Sequence, residues 1–299
     1  MTRNIIVGFL FSAVVFAGCS KEKQVYRDTF SRDDGIFLCN VGEFEVYMLV
    51  EGTRLGNTSI LVGADEELIS RFISDEGFYQ STNAFLIKSP NQITMIDTGT
   101  GINDYIIEKI KKIGIEMDEI ETVLLTHLHR DHYGGLQKDG KAVFPNARIY
   151  LSANEQEFFT EIQVNEDVIE TFALYDGKVE IFDPADINSV LSEILPGIKP
   201  IANYGHTPGH TVYLLENGED KLLVAGDFLH IELVQFALPE ISATYDTDKE
   251  AAAVSRRTIL DFAARNKIPI GGMHVVYPGI GFVEAGEDGG FTFIPAALR

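Results

Sequence analysis

The 299-residue chain is 45% hydrophobic, enough apolar mass for one large core or two small ones. Its 45 acidic residues outnumber 24 basic ones, for a formal charge of −21. With no Lys/Arg cluster to interrupt that excess, a basic channel is missing and nucleic acid is not expected as a partner.

The first element is a targeting segment. Arg3 supplies positive charge, residues 5–17 are almost wholly apolar, and Ala17-Gly18 offers small residues for cleavage. That apolar stretch is short for a bilayer core of roughly 30 Å, so a permanent membrane-spanning helix is the weaker alternative. Phe16-Ala17-Gly18-Cys19 looks like a bacterial lipobox, with Phe where Leu is usual. The expected organisation is a lipoprotein-type signal peptide at 1–18, a polar tether at 19–35 and one folded domain at 36–299. Acyl chains on Cys19 would anchor the exported protein to a bacterial cell-envelope membrane; the competing reading is a plain secretory signal followed by an unmodified cysteine. Cys39 is then the remaining thiol, and no intrachain disulfide is expected.

Glu43-Phe44-Glu45-Val46-Tyr47-Met48 alternates polar and apolar, as a half-buried strand does. The runs 84–87 and 93–96 flank Ser89-Pro90-Asn91 and read as a hairpin. Residues 102–113 place Ile106, Ile110 and Ile113 on one helical face, and Val123-Leu124-Leu125 is a buried strand. Ser152-Ala153-Asn154-Glu155 resembles a capping box, and 160–178 reads as an insertion that overhangs the site. The pair 212–215 and 222–225 turns at Asn217-Gly218. Asp248 is placed to cap a helix running to about Arg265, with Ile259, Phe262 and Ala263 inward and Arg256 and Arg257 as solvated or structural ion-pair residues.

Chemistry concentrates in Thr126-His127-Leu128-His129-Arg130-Asp131-His132. Side chains two apart in an extended segment point the same way, so His127 and His129 can act together at the end of the buried strand. Asp131 and His132 follow in a turn aimed at a neighbouring position. Neutral imidazole with carboxylate suits zinc and similar metals.

His127-Leu128-His129-Arg130-Asp131-His132 resembles the HxHxDH signature of the metallo-β-lactamase superfamily. Met95-Ile96-Asp97-Thr98-Gly99, Gly205-His206-Thr207-Pro208-Gly209-His210, Gly226-Asp227 and Gly272-Met273-His274 resemble its further motifs, in the family's order. The nearest likeness is to the methyl parathion hydrolase-like and lactonase-like branch. The resemblance implies an α/β, four-layer αββα sandwich. It also implies two divalent metal ions, zinc being the expected metal, one held by His127, His129 and His206 and the other by Asp131, His132 and His274, with Asp227 bridging. Two such ions sharing a hydroxide lower the pKa of water from about 15.7 to about 7. Asp131 would carry the proton. His210 is expected to support the ligands without binding metal, and Asp97 to order the ligand loops. Glycines 134, 135, 205 and 209 are expected at tight turns; the phenylalanines are expected mainly in the core, with Phe78, Phe158, Phe159 and Phe236 as the ones that can include pocket walls.

Lactonases of this fold often carry Tyr three residues past the bridging Asp; here that place is His230, read equally as a catalytic donor and as a packed structural side chain. The residue set leads to a metal-dependent hydrolase of small esters, lactones or phosphotriesters, with a small-molecule substrate. The alternatives are a glyoxalase-type thioesterase, a β-lactamase, or a non-catalytic metal-binding surface lipoprotein.

Overall fold

The structure is a computed structural model that describes residues 32–296. The targeting segment and Cys19 lie outside the described residues. Among those described, no helix is long and apolar enough to cross a membrane.

Two sheets pack face to face. The first has seven strands in the order Ile36–Val41, Phe44–Leu55, Tyr79–Lys88, Ile93–Ile96, Thr122–Leu124, Arg148–Ser152 and Val179–Phe182. The second has six, Ile198–Ala202, Thr211–Asn217, Asp220–Val224, Ile270–Gly271, Ile280–Ala285 and Phe291–Pro295. The period of two along a strand divides the core into layers. Ile36 and Leu38 face outward to Ile106, Ile110 and Val168 of the covering helices Tyr105–Ile113 and Glu166–Ala173. Phe37, Cys39 and Val41 face inward to Tyr213, Leu215 and Val224 of the second sheet. Val212 and Leu214 point the other way, onto Ile259, Leu260 and Ala263 of helix Lys249–Asn266. The order is helix, sheet, sheet, helix, as the resemblance implied.

The expected hairpin pairs Ile87 with Thr94, and Asn217-Gly218 sits at the turn between Thr211–Asn217 and Asp220–Val224. Ile106 and Ile110 are buried as expected, whereas the helix begins at Tyr105 and Ile102 stands exposed before it. The strand from Phe44 is also a correction: Val46, Tyr47, Met48 and Leu49 are all buried, because covering helices occupy the face that alternation assigned to water.

Arg256 and Arg257 part company. Arg257 is half-buried and donates to the Gly289 carbonyl (2.6 Å). Arg256 is fully buried and donates to the carbonyls of Phe228 (2.6 Å), Pro239 (2.7 Å) and Ile241 (2.9 Å), with Asp246 at 3.6 Å. One guanidinium thus ties the loop after Asp227 to the helix Lys249–Asn266, in a setting where its planar fork of donors can satisfy several carbonyls at once.

Candidate metal centre

Strands of both sheets end at one edge, and the loops leaving them converge. All seven histidines of the chain meet there. The loop after Thr122–Leu124 carries His127 and His129, and a helical turn at Arg130–Tyr133 then aims Asp131 and His132. His206 comes from the loop after Ile198–Ala202, Asp227 and His230 from the segment after Asp220–Val224, and His274 from the segment after Ile270–Gly271.

The ligand-type atoms form two groups. His127 Nε2, His129 Nδ1 and His206 Nε2 make a triangle with edges of 3.0, 3.1 and 2.9 Å. A tetrahedral ion with metal–nitrogen bonds of about 2.1 Å sets its nitrogens roughly 3.4 Å apart, so this triangle is close to one face of such a site. The second group is Asp131, His132 and His274. Asp227 stands between them, Oδ2 3.3 Å from His206 Nε2 and 3.1 Å from His274 Nε2, and Oδ1 3.2 Å from His132 Nε2.

The far side of each ring explains why these nitrogens suit a cation. His127 Nδ1 lies 3.1 Å from the Thr126 hydroxyl oxygen, whose proton goes to Asp97. His132 Nδ1 donates to Asp97 Oδ2 (2.7 Å), His206 Nδ1 to Asp246 Oδ1 (2.9 Å) and His274 Nδ1 to the Ser81 carbonyl (2.8 Å). With one proton held outside, each of these four imidazoles can offer its inner lone pair to a cation that takes the place of a second proton. His132 Nε2 and Asp227 Oδ1 are buried without a hydrogen-bond partner, as a metal-directed pair would be. The donor set therefore fits two divalent cations.

In the absence of a cation, the charges of these groups are set by one another. Burial works to raise Asp227, yet His132 and His274 hold it well below the ordinary carboxylate range. Burial pushes His127 well down, and His129 and His210 to about 3. Burial opposes protonation of His132 too, but Asp227, Asp131 and Asp97 around it prevail and hold it well above its usual value.

Asp97 does what the residues suggested: it accepts from the Thr126 amide (2.8 Å) and hydroxyl (2.6 Å) as well as from His132. It does so from a left-handed backbone with φ of 57°, a conformation Asp tolerates better than most residues. His210 donates to the Asn203 carbonyl (3.0 Å) and accepts the Asp227 amide (2.9 Å), so it orients Asp227 from behind.

His230 lies inside the cluster. Its Nε2 is 3.3 Å from Asp227 Oδ2, its ring stacks on His274, and its Nδ1 is buried without a hydrogen-bond partner. The Gln80 side chain grips its carbonyl (2.9 Å), and Gln235 accepts its amide (2.7 Å).

Three supporting residues were missed in the sequence. Asp246 orients His206, and Asn83 donates to the carbonyls of Gly272 and Val275 (3.0 and 2.8 Å), holding the His274 loop. Glu155 is the third. Ser152 caps the helix Ala153–Glu157 by accepting the Glu155 amide, but the Glu155 side chain does not reach back as a capping box requires. It accepts the amides of Leu128 (2.8 Å) and Gly209 (2.9 Å) and the Thr207 hydroxyl (2.6 Å), joining the two loops that supply His127, His129 and His206. S-x-x-E is the available signal, and by itself it points only to a local cap. Gly209 is required by this approach: a Cβ there would fall 2.2 Å from the Glu155 nitrogen. Of the glycines expected at turns, Gly205 has a positive φ (126°), while 134, 135 and 209 instead let backbone segments pass closely.

A cavity of about 330 Å³ opens over the centre. Beside the ligand-type residues it is lined by Arg54, Gln80, Thr82, Thr100, Arg130 and Tyr245. The phenylalanines expected as walls are absent from it. Phe78 and Phe236 lie in separate apolar clusters and Phe158 packs on the outer core, because each aromatic ring removes more apolar area from water there than at a polar mouth. Phe159 is buried and meets His129 edge-on, with ring centres 6.0 Å apart. The segment around it does cover one flank of the site, as Asp167 also pairs with Arg130 (3.3 Å).

Known proteins share the fold that carries this site. Two solved structures share the fold over 89% of this chain and 98% of their own, each at 26% identity: the hydrolase AbOPH of the beta lactamase superfamily, with a TM-score of 0.80, and AidC, a dizinc quorum-quenching lactonase in complex with the product N-hexanoyl-L-homoserine, at 0.76. Among curated proteins, an atrochrysone carboxyl ACP thioesterase of Aspergillus chevalieri is 26% identical over 191 residues, 62% of this chain and 52% of its own. An N-acyl homoserine lactonase of Bacillus sp is 29% identical over 113 residues, 38% of this chain and 40% of its own. The chain thus spans about half the length, or less, of these two relatives. The family profile described as metallo-beta-lactamase superfamily matches residues 79–279, most of the folded domain, and the chain belongs to that superfamily.

Proposed function

We propose that this protein is a binuclear metallo-hydrolase, zinc being the metal, that cleaves small esters, lactones or phosphotriesters. The observation that carries the reading is the pair of ligand groups sharing Asp227 beneath one cavity. His127, His129 and His206 would hold one ion, and Asp131, His132 and His274 the other. When bound, two such ions supply Lewis acidity and an activated water at neutral pH. Hydrolysis adds a water oxygen to the acyl or phosphoryl centre and breaks the bond to the leaving oxygen, which takes up a proton. Asp131, partly exposed at the cavity, is placed to accept the water's proton at a carboxylate oxygen. The experiment is a screen of esters, lactones, phosphotriesters, thioesters and β-lactams on the purified protein with metal content measured. Turnover of the first three classes with about two ions per chain is the expected result; a β-lactam or thioester preference, or metal without turnover, overturns it.

His230 is the proposed hydrogen-bond donor to the oxygen on which charge develops: its ring lines the cavity with Nε2 turned toward Asp227, and burial lowers it to about 4, so it would act as a neutral imidazole. His230→Ala is expected to lower kcat for esters with poor leaving groups by about 10²- to 10⁴-fold, and much less for activated aryl esters, with metal content unchanged. Equal losses on both, or loss of metal, would reduce His230 to a structural role.

The anchor is proposed on the lipobox-like run ending at Cys19. Labelled fatty acid should enter the wild type and not Cys19→Ser; equal labelling would refute lipidation.

A further inference from the structure

The mouth of the cavity holds a cation that nothing in the chemistry so far uses. Arg54 lies near the end of strand Phe44–Leu55, opposite Gln80 in the adjoining strand, on the side that lines the cavity. Its neighbour Gly52 pairs with Thr82 and has no side chain to fill the space beside it, where a Cβ would meet nothing within 4 Å. Among the described residues no carboxylate pairs with Arg54, although the chain carries 45 acidic residues. Arg130 lines the same cavity and is already paired with Asp167. The remaining wall is Gln80, Thr82, Thr100 and Tyr245, with no aliphatic side chain to receive an alkyl tail.

A planar guanidinium at a polar mouth matches a carboxylate in two parallel hydrogen bonds. Inside a strongly acidic surface it also marks the place where an anion is attracted instead of repelled. We propose that the substrate is an anionic ester or lactone whose free carboxylate, remote from the bond cleaved, is held by Arg54. This rests on the hydrolase reading above and narrows its substrate class.

The test compares mono-(4-nitrophenyl) glutarate with neutral 4-nitrophenyl valerate on the metal-loaded protein, and measures glutarate binding by calorimetry. Arg54→Gln should raise KM for the glutarate ester about tenfold and weaken glutarate binding about tenfold. Kinetics on the valerate ester and metal content should stay unchanged, and Arg54→Lys should recover part of the loss. Equal effects on both esters, or glutarate binding that is absent or indifferent to Arg54→Gln, overturns the proposal while leaving hydrolysis intact. If wild type cleaves neither ester, the ester-hydrolase reading fails, and the calorimetry still decides whether Arg54 binds carboxylate.

Discussion

Asp227→Ala is expected to abolish activity and empty the centre together. Among the described residues Asp227 is the one carboxylate within 3.3 Å of a nitrogen from each ligand group, and His210 fixes it by accepting its amide. Without it, His132, His206 and His274 lose the charge that faces them, and two cations would be held close together with no anion between. The charge stabilisation a metal pair provides is worth several kcal/mol, so kcat/KM should fall by about a thousandfold or more. Metal analysis should show fewer than about two ions per chain. A variant that keeps both ions and most of its activity would place the shared ligand elsewhere.

Glu155→Ala is expected to be the most damaging change outside the ligand set. It would strand the amides of Leu128 and Gly209 and the Thr207 hydroxyl, all buried. Each orphaned donor costs about 1–3 kcal/mol, or about 5 kcal/mol together. The two loops it joins supply three of the imidazoles, so metal affinity should weaken about 10- to 100-fold as well. Glu155→Gln keeps one acceptor oxygen and should recover part of both. A pH signature accompanies this. Burial pushes Glu155 from its ordinary 4.5 up to about 7, against the pull of Thr207, Leu128 and Gly209. The folded, metal-free protein therefore holds a proton there that the unfolded chain releases. Stability from this group is complete below 4.5 and is lost as pH rises through about 7. Because the buried His127, His129 and His210 titrate with the opposite sign, the test is the difference between wild type and Glu155→Gln: the metal-free wild type should lose stability relative to the variant as pH rises across that window. A difference that stays constant or grows in favour of the wild type would contradict the assignment.

How much of this was legible depends on how local each signal is. Individual strands, the hairpin at Ser89-Pro90-Asn91 and the helix carrying Ile106 and Ile110 follow from periodicities of two and 3.6, which any segment displays by itself; the arrangement of the strands as a two-sheet sandwich follows only from the family resemblance. The ligand-type residues were equally visible, because His127 to His132 stand together and the remaining motifs repeat a known order. What the chain could not show locally is who supports them. Asp246 lies 40 positions from His206, and Asn83 lies 189 from Gly272. No spacing rule connects such pairs, since contact between them exists only once two sheets have packed.

Which phenylalanines reach the cavity is likewise not a local property. Phe78, Phe158 and Phe236 are apolar in any sequence, but which side of a layer each one meets is decided by its neighbours. Packing took them into apolar clusters and left Arg54, Gln80 and Thr82 at the mouth. The sequence by itself determined the residue types able to hold metal and the order of the elements that carry them. The tertiary structure alone decided which nitrogen of each imidazole faces inward. That choice is made by acceptors such as Asp97, Asp246 and the Ser81 carbonyl, which reach the far side of each ring only in the folded chain.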